Sequence, residues 1–262
     1  MNGIAVAQFA PGSDREANLA VMRGLAEVAV SRGASLVVFP EYSQFFTPEM
    51  GPDWIAAAET TNGPFATGLA SIAADLGTTV VAGMLEQAGA KAHNTVLAID
   101  PSGATLAAYR KQHLYDAFGG RESDWIAAGE TAAVTFAWNG FTIGLQTCYD
   151  IRFPEVTRTL VDAGAEIVVV PAEWVRGPLK EHHWRTLLTA RAIENTVYLA
   201  AADHAPPVGA GNSMVLDPMG VELVTIGEST DVAIALPTRQ RMDEVRLTNP
   251  ALKLRRYGVS PL

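Results

Sequence analysis

The only cysteine of the chain stands where an apolar strand is expected to end and a helix to begin. Cys148 follows the run 141–147 and precedes Pro154, a residue that suits the first turn of a helix. A helix N-terminus close to a thiol favours its thiolate form. A lone cysteine is more often a structural filler, but this turn, with Asp150 and Arg152 close behind, makes a nucleophile an equal alternative.

A thiol nucleophile requires a base that takes its proton. Five histidines are present, at His93, His113, His182, His183 and His204. None of them has a sequence context typical of a catalytic base. A buried carboxylate beside a cation can take the role, and Glu41 is a candidate because it directly follows an apolar strand and Pro40, where a carboxylate rarely stands without a partner.

Two adjacent cations, Arg110 and Lys111, end another predicted strand. From the residues alone, the favoured interpretation is a charged and solvated strand edge, which keeps a sheet from pairing with other chains. Together with Glu41 and Cys148, however, Lys111 completes a recognisable set of three residue types.

The stretches around these three residues resemble the nitrilase superfamily, also called the carbon–nitrogen hydrolases. They read VVFPE at 37–41, YRKQHL at 109–114 and CYDIRFPE at 148–155. Shorter matches lie downstream at 177–178, 183–184, 190–195 and 213–218. The resemblance covers residue 3 to about 235, and the chain looks most similar to the Nit-type, ω-amidase-like branch.

The resemblance implies a Glu–Lys–Cys catalytic set. By that analogy Glu41 takes the thiol proton, and Cys148 attacks the carbon of an amide to form a thioester. Lys111 then stabilises the tetrahedral intermediate, as a fixed positive charge does for a developing oxyanion, and it keeps Glu41 ionised by proximity. The backbone N–H of Tyr149 completes the oxyanion pocket.

Many members of the superfamily carry a second glutamate after the lysine. The matching pair here is Glu122 and Ser123, after a loop that is shorter than in many relatives. The resemblance therefore implies that Glu122 is a further catalytic residue. The alternative is a surface glutamate beside Arg121.

The segment 171–176 leaves a predicted strand of the second half and is expected to line the substrate pocket. In it, Trp174 is predicted to wall the substrate, and Glu173 or Arg176 to pair with the substrate's distal group. The alternative is that Glu173 and Arg176 pair with each other. Because Arg152 or Arg176 can hold a carboxylate bidentately, we expect a preference for ω-amides of dicarboxylic acids.

The order of the elements predicts an α/β fold, because short β-branched runs alternate with helical stretches. Strands are expected at 3–9, 35–39, 78–84, 94–99, 104–109, 132–137, 141–147, 166–170, 196–202, 212–216 and 221–226. Helices are expected at 14–32, 64–76, 154–163 and 180–194. The stretch 237–262 is predicted to be a C-terminal tail that covers its own domain, 1–236, or a neighbouring subunit.

The two halves of the chain repeat the same order of short motifs. The segment 33–41 resembles 164–173, 94–103 resembles 212–220, and 3–8 resembles 140–146. The repeats predict two pseudo-symmetric halves, and the resemblance implies a four-layer αββα sandwich. Ligands of such sheets bind at the carboxyl ends of strands, where Glu41 and Cys148 are expected, one in each half.

Composition narrows the possible partners. The 262 residues carry a formal net charge of −9, which argues against nucleic acid and anionic membranes as partners. No apolar run approaches the ~18 residues that cross a bilayer, and no targeting segment is recognisable at the start, so a cytoplasmic location is expected. One cysteine excludes an internal disulfide and a multi-cysteine metal site. We expect no metal and no cofactor.

The sequence therefore predicts an amidase that hydrolyses a small linear amide through a cysteine thioester. An acyltransferase or a nitrile-hydrolysing enzyme would use the same three residues. A redox-active cysteine protein would need neither Glu41 nor Lys111, and an inactive binding module would have no reason to keep all three. The family resemblance also implies a homo-oligomer, most simply a dimer.

Overall fold

Two six-stranded sheets and six α-helices make up residues 3–261, the part of the chain that this computed structural model describes. The strands are β1 Gly3–Gln8, β2 Ala34–Val38, β3 Thr79–Ala88, β4 Lys91–Ile99, β5 Thr105–Arg110, β6 Thr135–Trp138, β7 Phe141–Leu145, β8 Ile167–Pro171, β9 Tyr198–Ala202, β10 Met214–Leu216, β11 Glu222–Thr225 and β12 Asp231–Ala235. The helices are α1 Arg15–Ser31, α2 Pro52–Ala57, α3 Pro64–Leu76, α4 Pro154–Asp162, α5 Lys180–Asn195 and α6 Arg239–Thr248.

The strand orders of the two sheets mirror each other. One sheet runs β12-β1-β2-β3-β4-β5 and the other β6-β7-β8-β9-β10-β11. In each sheet the first pair is antiparallel, the next two pairs are parallel and the last two are antiparallel. The predicted pseudo-symmetric halves are therefore confirmed at the level of topology.

Alternation along the strands produces four layers. Leu36 and Val38 of β2 point into a core between the two sheets, whereas Val37 points to the layer that holds α1 and α3. In β8, Val169 faces the same central core and Val168 faces the layer of α4 and α5. Because successive strand residues point to opposite faces, apolar runs such as these bury both faces of a sheet. The predicted four-layer αββα sandwich is confirmed.

Local sequence fixes the ends of the helices that cover the sheets. The Asp14 side chain accepts hydrogen bonds from the N–H groups of Glu16 and Ala17 and caps α1. Helix α3 begins with Pro64 and ends at Gly77, whose φ of 61° is the left-handed conformation that glycine adopts easily.

Three elements were absent from the sequence-based assignment: α2, β12 and α6. Strand β12 pairs antiparallel with β1, so the chain returns at its end to the sheet of the first half. Helix α6 lies in the predicted tail and buries Met242 in the central core. The tail thus packs on its own domain in part, while Leu254 and Tyr257 are 70% and 91% exposed. The division into a domain at 1–236 and a tail at 237–262 stays a prediction.

Candidate active site

Four strand ends meet at one edge of the sandwich. Glu41 follows β2 after two intervening residues, and Lys111 directly follows β5, which runs in the same direction as β2. From the other sheet, Cys148 begins a 3₁₀ turn after β7, and Glu173 follows β8. Parallel strands bring their carboxyl ends to the same edge, so residues distant in sequence become neighbours here.

The Lys111 ammonium is the centre of the site. It is 2% exposed and its Nζ donates to Glu41 Oε1 at 3.0 Å and to the two Glu122 oxygens at 2.8 and 3.1 Å. The structure thus brings Glu122 against Lys111 and not to the surface, where Arg121 pairs with Asp124 instead. The ion pairs of such a buried triad add little net stability, because the cost of desolvating the charges offsets much of their Coulomb attraction. The surrounding fold therefore holds the three charges together.

Two neutral side chains complete this network, and neither was identified from the sequence. Asn94 Nδ2 donates to Glu41 at 2.5 Å and to Glu122 at 3.1 Å, while the Tyr42 hydroxyl donates to Glu122 at 2.5 Å. Both therefore fix carboxylate oxygens that Lys111 also contacts. Gly83 allows β3 to lie close to the backbone of Glu41 and Tyr42. A Cβ at position 83 would be only 2.6 Å from the Tyr42 backbone nitrogen.

The network separates the proton affinities of its two carboxylates. Burial raises the pKa of Glu41, and Lys111 only partly opposes it, so that Glu41 is suited to accept a proton. Burial acts in the same direction on Glu122, but the Lys111 charge and the hydrogen bonds from Lys111 and Tyr42 outweigh it and lower its pKa. Burial lowers the pKa of Lys111, yet the charges of Glu122 and Glu41 raise it well above the usual value. Lys111 is therefore a permanent cation.

Cys148 lies in a backbone conformation that is rare for a side chain with a Cβ. Its φ is 44°, and its Sγ is 3.5 Å from the Glu173 carbonyl oxygen. Such strain persists only where the surrounding structure imposes it, and it is typical of functional turns. Burial, followed by the Glu41 charge, raises the pKa of the Cys148 thiol. The resting thiol is therefore protonated and would need a base to react as a nucleophile.

The turn that carries Cys148 is held by a buried carboxylate. Asp150 Oδ1 accepts from the N–H and the imidazole Nδ1 of His113 at 3.0 and 2.9 Å, and Oδ2 accepts from the Tyr109 hydroxyl at 2.6 Å and the Thr147 N–H at 3.1 Å. Four contacts on one carboxylate orient the whole turn. Tyr149 is the second residue of this 3₁₀ turn, where backbone N–H groups have no acceptor within the turn.

Beyond the thiol, the cationic side chains of Arg152 and Lys180 lie against aromatic rings. Arg152 is 4.7 Å from the Trp174 ring centroid, and Lys180 is 4.2 Å from that of Phe118. Lys180 Nζ also donates to the Tyr115 hydroxyl at 2.8 Å. Burial, and then the Arg152 charge, lowers the pKa of Lys180. Among residues 3–261 neither cation makes an ion pair, so this part of the site carries two positive charges that no acid neutralises by direct contact.

The segment after β8 contributes two of its three predicted pocket residues to this region. Trp174 is 3% exposed and packs beside Arg152, and Glu173 lies next to the thiol. Arg176 is not brought to the thiol: it is exposed, and its guanidinium pairs with Glu228 at 2.8 Å and Glu181 at 3.8 Å. The alternative pair of Glu173 and Arg176 does not form either.

A buried histidine supports the backbone of Glu41. His204 Nε2 is 2.6 Å from the Glu41 carbonyl oxygen, and burial lowers the pKa of His204 from 6.5 to about 4. At neutral pH its ring is therefore uncharged, and Nε2 carries the proton that it donates to that oxygen. Its contact with Glu41 is to the backbone carbonyl and not to the carboxylate.

We expect this histidine to make unfolding depend on pH. Between pH 6.5 and about 4 the unfolded chain binds a proton at His204 that the folded chain does not, so stability falls as the pH is lowered through that window. At about pH 4.5 the contribution amounts to about 2.5 kcal/mol. Urea unfolding at pH 6.5 and at about pH 4.5 measures the loss of stability in acid. This loss should be smaller in His204→Gln than in His182→Gln, a matched change at an exposed histidine. Equal losses would contradict the assignment.

A sizeable cavity lies away from this network. It has a volume of about 660 Å³ and runs beneath residues 258–261, along α4 and β7. It contains neither Glu41, Lys111 nor Cys148. Because the reactive groups and their perturbed pKa values lie elsewhere, size alone does not identify the active site here. Within residues 3–261 no three His, Cys, Asp or Glu side chains are grouped as metal ligands, and no helix is long and apolar enough to cross a membrane.

Comparison with known proteins gives the same class as the geometry. The sequence profile of the carbon–nitrogen hydrolase family matches residues 3–247. The chain is 36% identical over 256 residues to deaminated glutathione amidase of Escherichia coli O157:H7, covering 97% of each chain. The NitFhit protein of C. elegans superimposes with a TM-score of 0.87 at 30% identity, over 97% of this chain and 65% of that one.

A third relative is informative about the thiol. An amidase mutant from Nesterenkonia sp. AN1, in which acrylamide has added to the active-site cysteine, superimposes with a TM-score of 0.81 at 28% identity, over 97% of this chain and 100% of that one. The fold and the site thus define a hydrolase of the amidase class. The chain belongs to the carbon–nitrogen hydrolase family, and within the nitrilase superfamily it is of the Nit type.

Proposed function

We propose that the protein hydrolyses a small linear amide through a thioester on Cys148. Glu41 takes the thiol proton while Sγ forms a bond to the amide carbon. Lys111 and the Tyr149 N–H hold the oxyanion, the C–N bond breaks, and the Glu41 proton passes to the leaving nitrogen. A water molecule then attacks the thioester with Glu41 again as base, which releases the carboxylic acid and the free thiol.

The observation that carries the proposal is the Lys111 ammonium between two buried carboxylates, beside a buried thiol. A redox cysteine has no use for this arrangement. A cation fixed before the reaction needs no reorganisation when charge develops on the substrate oxygen, and this is a large source of catalysis. Glu122 holds the cation in place and remains ionised while Glu41 cycles between its two protonation states.

The charge of the outer pocket favours an amide with a carboxylate at its far end. Arg152 and Lys180 are two neighbouring cations with no acidic partner among the residues described, and Arg152 Nε is shielded from solvent with no hydrogen-bond partner. Unpaired buried donors are costly, so a ligand anion that satisfies them gains affinity and specificity. We therefore propose the ω-amide of a dicarboxylic acid as the substrate class, with Arg152 as its anchor.

Ammonia release from a panel of amides tests this function. Succinamate is expected to be hydrolysed with a higher kcat/KM than butyramide, which lacks the distal carboxylate. Arg152→Ala should lower kcat/KM for succinamate roughly 10²-fold, since losing one partner of a desolvated charge pair costs about 2–5 kcal/mol, and it should affect butyramide much less. Arg176→Ala removes the same charge outside the pocket. It should leave the ratio of kcat/KM for succinamate to kcat/KM for butyramide as in the wild type. A better rate with butyramide would contradict the carboxylate anchor.

We also propose a homodimer in the cytoplasm. The support is the family resemblance together with exposed apolar side chains near the end of the chain, namely Leu247, Leu254 and Tyr257. A second copy of the chain is a suitable cover for such side chains.

A further inference from the structure

Glu173 occupies the junction between the catalytic network and the outer cations. Its N–H donates to Glu41 Oε2 at 2.6 Å, and its carbonyl oxygen lies 3.5 Å from Cys148 Sγ. The backbone is thus fixed on both sides by reactive groups. Charge on its carboxyl group acts on the thiol on one side and on Lys180 and Tyr115 on the other.

Among the residues that the structure describes, none donates a hydrogen bond to the carboxyl group of Glu173. Oε1 is shielded from solvent and makes no hydrogen bond to any residue between 3 and 261. Arg176, the cation nearest in sequence, pairs with other acids at the surface. A buried carboxyl group without a partner is costly, and the cost falls when it is neutral and when a ligand supplies the missing hydrogen bond.

We propose that Glu173 is a specificity-determining residue that acts as a neutral acid: its O–H donates a hydrogen bond to an oxygen of the anionic substrate between Cys148 and Lys180, and its ionised form excludes that substrate by charge. The inference rests on the proposed function, because it assumes a substrate with a distal carboxylate. It assigns no proton transfer to Glu173, so the chemical step remains with Glu41.

The surroundings of the carboxyl group favour the neutral form. Burial, followed by the charge of Glu41, raises the pKa of Glu173 well above the usual glutamate value, and Lys111 opposes only part of this rise. The titratable groups that face it are Glu41, Lys111, Glu122, Cys148, Tyr115, Lys180 and Asp203. Below the raised pKa the group is a donor without charge. Above it, a second anion stands beside the substrate carboxylate.

The test compares KM for succinamate and butyramide from about pH 6 to about pH 9.5, a range in which a raised carboxyl pKa becomes visible. In the wild type, KM for succinamate should rise about tenfold toward alkaline pH, while KM for butyramide stays flat. In Glu173→Gln, which has an N–H donor and no titrating proton, the alkaline rise should disappear. Glu181→Gln, a matched change at a half-exposed acid of α5, should retain it.

Each other outcome overturns the inference. A rise that persists in Glu173→Gln would assign the titration to Lys180, whose pKa is lowered in the same pocket. A succinamate KM that does not change with pH in the wild type would show that Glu173 carries no pH-dependent charge near the substrate. Failure of the proposed function is distinguishable, because succinamate would then show no advantage over butyramide even at about pH 7.

Discussion

Cys148→Ala is expected to abolish amide hydrolysis, with kcat falling on the order of 10⁴-fold or more, as for the loss of other covalent nucleophiles. Cys148 is the only cysteine in the chain. The raised pKa of Glu41 suits this carboxylate to take the proton of the Cys148 thiol. Ammonia release under saturating amide gives kcat for both proteins. The variant should fold normally, since alanine keeps the Cβ and removes one buried sulfur atom.

Alkylation of the wild type provides the control. Iodoacetamide should modify a single site, and the loss of activity should be proportional to the fraction of enzyme that is alkylated. Saturating amide should protect Cys148 from alkylation. Full activity in Cys148→Ala, or alkylation without loss of activity, would exclude the covalent mechanism.

Lys111→Met is expected to lower kcat roughly 10²- to 10³-fold with little change in KM, because the ammonium acts on charge that appears in the transition state. It should also destabilise the fold by about 3–5 kcal/mol, since Glu41 and Glu122 lose their common cation and one of them must take up a proton. Steady-state kinetics and urea unfolding measure the two effects separately.

Lys253→Met is the matched control, because Lys253 is exposed in the 3₁₀ turn after α6. It should leave kcat, KM and unfolding unchanged. If Lys111→Met kept its kcat and only raised KM, the ammonium would be a substrate-binding group and not a stabiliser of the oxyanion.

The proposed reacting groups were easier to predict from the sequence than the residues that hold them in place. Glu41, Lys111 and Cys148 stand in motifs whose residues are adjacent in the chain, so they were visible without a structure. Asn94 and Tyr42 were not, because their role comes from contacts across 53 and 80 positions of sequence. Nothing local in their segments indicates that they hold the oxygen atoms of two carboxylates.

The two arginines show the same limit. The sequence favoured Arg176 as the carboxylate anchor and left Arg152 as the alternative, since each lies a few residues from a predicted strand end. In the structure, Arg176 has two acidic partners at the surface, and Arg152 has aromatic neighbours. Which of them stays free for a ligand depends on Glu228, an acid 52 positions away from Arg176.

Elements with a weak hydrophobic pattern were missed. Helix α6 buries only Met242 and Val245 among ten mostly polar residues, so its sequence shows little of the 3.6-residue period. Strand β12 follows a polar turn, and its pairing with β1 joins segments more than 200 residues apart in the sequence. Pairing between such distant segments is set by the closing of the whole sheet and is not encoded in the strand itself.

A thioester on Cys148 is the intermediate on which the proposed mechanism depends, and intact-mass spectrometry of rapidly quenched enzyme tests for it most directly. After a brief pulse of succinamate, the wild type is predicted to carry an adduct equal to the substrate minus ammonia. The adduct should lie on the peptide that contains Cys148, disappear with hydroxylamine and be absent from Cys148→Ala. Turnover without any adduct at any quench time, or an adduct that persists in Cys148→Ala, would contradict the account.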